Sequence, residues 1–186
     1  MNEIELIRTQ LNVERQHAAA VARACAEALG APSSTVDSIE PFRAAGVEYL
    51  AWILSRFEER EQVFRDLVRK RFTAEDPHRR AVEAALTQPG SNREALSRLE
   101  TALGERTASE GESAALRWSE FLHFISGPWS IRRDEIDQLF QVQAKVVDWR
   151  TVSGIDADSI VDERHRWARV KATMPTDTES SSNTRV

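Results

Sequence analysis

One cysteine and one tyrosine are all that this chain of 186 residues holds of either type, and only seven glycines and six prolines interrupt it. Cys25 has no intramolecular disulfide partner, and its place on an apolar stripe suits a small buried hydrophobe better than a redox thiol. No uncharged apolar run approaches the roughly 20 residues needed to cross a bilayer. The opening MNEIELIRTQ has acids where a secretory signal would have bases, so the expectation is a cytoplasmic protein without a membrane partner. Cations are the minority charge, 25 Lys and Arg against 30 Asp and Glu for a net charge of −5, which argues against a nucleic-acid partner whose phosphates would need many bases at once. The sequence also lacks alternating β-branched runs, a glycine-rich phosphate loop, a Ser-His-Asp order in a strand-turn-helix setting and Cys/His zinc spacing. No reaction class is implied, and whether the chain is an enzyme stays open.

What it does contain is helix. The apolar share of 41% is enough to close one core without metals or disulfides. The stretch Val47 to Val68 carries Val47, Leu50, Leu54, Phe57, Phe64 and Val68 at the three-then-four spacing of a face that packs on other helices. Ile4, Ile7, Leu11, Ala18, Val21, Cys25 and Ala28 make a similar stripe, and Gly30, Ala31 and Pro32 stop it. The spacing predicts an all-α fold, an antiparallel bundle of four main helices: Glu3 to Leu29, Ser38 to Phe72, Ala114 to Ser126 and Ile131 to Trp149. Shorter helices over Arg79 to Thr87, Arg93 to Leu103 and from an Asp156 or Asp158 cap to about Lys171 pack around it. Gly46 is placed to bend the second helix, Gly104 to Ser113 reads as a mobile linker, and Gly127 with Pro128 breaks the third main helix. One domain over 1–172 is expected, with 173–186 a disordered tail too poor in apolar residues to order.

Three main helices aim a carboxylate inward: Glu14 between Leu11 and Ala18, Glu61 between Phe57 and Phe64, and Glu135 one turn before Leu139. A lone buried carboxylate costs several kcal/mol, so each needs a partner, a proton or water. Metal is one partner. Glu14 with His17 and Glu120 with His123 have the Glu-x-x-His spacing that puts two ligands on one helix face, and oxygen with imidazole suits iron or manganese. With Glu61 and Glu135 as further carboxylates, the four helices resemble in outline ferritin-like or hemerythrin-like bundles, although the latter pattern wants more than the four histidines present. Glu120 and His123, however, lie opposite Trp118, Phe121, Leu122 and Ile125 on the helical wheel, which points them at solvent. Arginine is the other partner, from Arg56 and Arg60 beside the second stripe and Arg132 and Arg133 beside Glu135.

Two functions follow. The surplus of rings over Trp118 to Trp129 and Tyr49 to Phe64 suggests a non-enzymatic binding protein, an adaptor, assembly chaperone or small regulatory subunit that holds another protein or a second copy of itself. The alternative is a dinuclear metal protein using Glu14, His17, Glu61, Glu120, His123 and Glu135. Arg164, Arg166, Arg169 and Lys171 around Trp167 read as the basic end of a dipole-matched surface helix rather than an anion site.

Overall fold

Two of the described helices are much longer than the others, α1 (Glu3–Gly30) and α2 (Val36–Arg71), and the other described helices are clad on the hairpin they form. The computed structural model describes residues 3–30, 36–87, 90–103, 111–129 and 146–174. Within them follow α3 (Pro77–Thr87), α4 (Asn92–Leu103), α5 (Gly111–Phe124) with a π-helical turn (Ile125–Trp129), α6 (Val146–Ser153) and α7 (Ala157–Thr173). No strand occurs among the described residues, and no described helix is long and apolar enough to cross a membrane. The fold is all-α.

Local chemistry fixes the helix ends. Pro77 takes a first helical position, where its missing N–H costs nothing, and the Asp76 carboxylate accepts the His78 N–H at 2.8 Å. Ser91 Oγ accepts the Glu94 N–H at 3.0 Å to start α4. Asp156 and Ser159 form a reciprocal capping box that starts α7.

The interior divides along the hairpin. In its upper half α1, α2, α4 and α5 make an up-down-up-down ring about Ala18, Val21, Leu50, Leu54, Phe57, Leu99 and Phe121. In its lower half α3 and α6 close a second apolar cluster of Ile7, Leu11, Phe64, Val68, Leu86 and Trp149. α4, expected as a peripheral short helix, is the element that faces α2 and α5 in the ring. The expected helix Ile131 to Trp149 lies mostly outside the described residues; its last turns belong to α6, which packs on α1 and α2 and runs on to Ser153.

One expectation is corrected. Gly127 and Pro128 do not end their helix but sit inside the π turn, whose wider hydrogen-bond ring accommodates a proline and carries Trp129 into the core. Gly46 also serves close packing: a Cβ there would lie 2.8 Å from Cys25 Sγ and 3.2 Å from a Val21 methyl, so α1 and α2 approach closely at this point. Residues 31–35, most of the Gly104 to Ser113 linker and the tail from 175 lie outside the described residues.

Candidate functional site

Between the two apolar clusters the stripes of α1 and α2 change character at the same level. Leu11, Glu14 and Ala18 on α1 lie against Phe64, Arg60, Glu61 and Phe57 on α2, so a polar rung crosses the core. Arg60 donates to Glu14 Oε2 at 2.5 Å and Oε1 at 3.3 Å, a two-pronged pair between side chains 6% and 1% exposed. Its Nε donates to the Ser153 carbonyl at 2.5 Å, so the same guanidinium also caps α6. Glu61 Oε1 accepts from Asn92 Nδ2 at 2.7 Å, and Asn92 Oδ1 accepts the Trp129 indole N–H at 2.7 Å. Buried polar groups cost little once hydrogen-bonded, and this rung meets that condition by recruiting α4, the π turn and α6.

A second polar group joins α1, α2 and α7. Glu163, buried on α7, accepts at Oε1 from the Tyr49 hydroxyl at 2.8 Å and lies 2.7 Å from His17 Nδ1. Burial alone would raise the Glu163 pKa, but the bonds from His17 and Tyr49 hold it below the usual carboxylate value. Burial and the neighbouring Glu163 charge push the Tyr49 hydroxyl well above its ordinary value, so it stays a neutral donor. Trp167, one turn after Glu163, stacks on the His17 ring with centroids 4.0 Å apart and planes 10° from parallel.

This group continues outward to an aromatic and arginine face. Tyr49 lies 6.0 Å from both Trp167 and Trp52. The half-buried Trp52 ring is flanked by two guanidiniums, Arg56 at 5.1 Å and Arg166 at 4.9 Å. Glu48 accepts from Arg166 at 3.2 Å and from Arg169 at 2.9 Å, tying α7 to α2. Below Arg56 opens a cleft of about 120 Å³ between α2 and residues 151–154. Its arginines already donate to carbonyls at the end of α6, Arg60 to Ser153 and Arg56 to Gly154, so it accommodates a few waters rather than a drug-sized ligand.

The six candidate metal ligands are placed as follows. Glu14 and Glu61 are buried in the rung, and His17 is half-buried with its side chain 24% exposed. Glu120 and His123 share the outer, exposed face of α5 with Leu116, as their position on the wheel predicts. Glu135 lies outside the described residues, as do Arg132 and Arg133. Glu14 is held by Arg60, Glu61 by Asn92 and His17 by Glu163. Among the described residues no three or more His, Cys, Asp or Glu side chains gather so that they could hold a metal ion.

Sequence reasoning missed Glu163, Asn92 and the pairing of Tyr49. Glu163 precedes Trp167 by four residues and Val170 by seven, a helix-face spacing that was there to find, but its partners are 146 and 114 residues away. Most rings assigned to a binding face, Tyr49, Phe57, Phe64, Phe121, Phe124 and Trp129, are buried in the core, leaving Trp52 half-buried, and Trp167, outside those stretches, is half-buried beside them. Comparison with models of protein families, with curated proteins and with solved structures returned no match to this chain.

Proposed function

We propose that this protein acts by binding, holding another polypeptide against the face of α2 and α7 around Trp52. The observation that supports this reading is the ring of Trp52 lying half-buried between the guanidiniums of Arg56 and Arg166, with Tyr49 behind it and Trp167 beside that. Tryptophan, tyrosine and arginine are the side chains that most often dominate protein interfaces, because each offers a large rigid surface with polar edges. The ion pairs around the ring are exposed, so a partner can exchange them for its own at little cost.

A photo-crosslinking amino acid in place of Trp52 tests the reading in cell extract. One discrete adduct, with a second protein or a second copy, is expected at position 52 and not at the exposed Glu75 on the turn before α3, and Arg166→Glu should remove it. A monomer that gives no adduct at 52 overturns the reading. So does stoichiometric iron or manganese in the purified chain, which would favour the carboxylate and histidine alternative.

A further inference from the structure

We infer that α7 is the resident, removable occupant of a helix-binding groove between α1 and α2. The partner suited to that groove is an amphipathic helix carrying a carboxylate, an aromatic ring and a branched aliphatic side chain at the spacing of Glu163, Trp167 and Val170. The inference goes beyond the binding reading: it names a second site, beneath α7 rather than on its outer face, with the partner's chemistry and what holds that site closed.

Among the described elements α7 packs on α2 and α1. Of its 17 residues only Glu163 and Val170 are buried; Trp167, Ile160 and Thr173 are half-buried, Met174 just beyond packs on the core, Arg166 lies over the Trp52 ring, and the ties to Glu48 are surface ion pairs. Its start is self-contained, since the Asp156 and Ser159 box satisfies its first N–H groups without help from the bundle. It follows Gly154, which has φ +55 and nothing within 4 Å of where a Cβ would stand, and whose carbonyl is tied to α2 by the partly buried Arg56. A segment with few buried apolar contacts is the kind that opens locally ahead of the whole.

The groove, by contrast, is specific. Two donors from two different helices, the Tyr49 hydroxyl and His17 Nδ1, converge on one carboxylate oxygen at 2.8 and 2.7 Å. Without that carboxylate the buried Tyr49 hydroxyl has lost its acceptor, so a bare groove favours a ligand that brings another. The His17 ring offers a flat seat for an aromatic side chain one helical turn further on.

The probe is a labelled peptide of residues 155–174 of this sequence, titrated by fluorescence anisotropy into two full-length chains. In the wild type the tethered α7 competes at an effective concentration on the order of millimolar, so the peptide binds weakly. In the double variant Glu163→Lys with Trp167→Ala the groove is vacated, and binding should be at least about tenfold tighter. A peptide carrying the Glu163→Gln change should lose most of that gain. A folded double variant, with wild-type helicity and a cooperative melt, that binds no peptide overturns the inference. If that variant does not fold, wild-type hydrogen exchange decides. α7 amides exchanging on the order of a hundredfold faster than those of mid-α2 support it, and exchange in step with α2 overturns it. A Trp52 adduct obtained alongside a failed peptide experiment removes the groove and leaves the face; peptide binding without any adduct does the reverse.

Discussion

Removing the Arg60 guanidinium leaves Glu14 charged and almost fully buried, so Arg60→Ala should cost about 3–5 kcal/mol in urea unfolding, far more than loss of an exposed pair such as Arg98 with Glu94. That Glu14 would need a partner, a proton or water was legible in the sequence, because an acid on an apolar stripe has few physical options, and Arg60 was one of four arginines expected as partners for the inward acids. The other halves of the polar groups were not legible. Asn92 lies just ahead of the expected helix Arg93 to Leu103, and Glu163 reads as part of the acidic start of a surface helix, since neither depth nor a distant partner is encoded nearby; both are buried. Cys25 was readable as a packing residue, and burial pushes its thiol up to about 12. Iodoacetamide at pH 9 should therefore leave Cys25 largely unmodified in the folded chain and alkylate it promptly in urea, by mass spectrometry.

At the scale of elements, the α1 and α2 stripes were plain from spacing, whereas the partner of a short helix is set by what its neighbours leave uncovered, which is why α4 could not be placed in the ring in advance. Gly46 shows how such contacts override propensity. Alanine favours a helix over glycine by about 1 kcal/mol, yet its methyl would overlap Cys25 Sγ, so Gly46→Ala should destabilise by about 1–3 kcal/mol in thermal melts. Adding Cys25→Ala should recover much of that loss, and the double-mutant cycle measures the coupling. For α7 the acid side is diagnostic. Glu163 has a folded pKa below its unfolded value, so its contribution is complete above the ordinary carboxylate range and is lost as pH falls through the folded value. Hydrogen exchange should show α7 losing protection below about pH 4 before α1 and α2 do, and Glu163→Gln should flatten that dependence.

For the whole molecule, the two apolar clusters and the rung between them decide how stability and specificity are shared. Replacing the pair together, Glu14→Leu with Arg60→Met, removes two desolvated charges at once and should leave stability within about 2 kcal/mol of wild type, tempered by the Ser153 carbonyl that loses its donor. Comparing its thermal melt with that of Arg60→Ala separates the worth of the pair from the cost of orphaning one member. Hydrocarbon stripes seven residues apart can slide past one another with modest loss, but a carboxylate that slides meets leucine. Positions 14 and 60 thus act as a registration mark for the hairpin. Seven residues added to both arms on the same side of that mark would lengthen one compartment and keep the alignment, whereas the same insertion in one arm alone would strand a charge in grease.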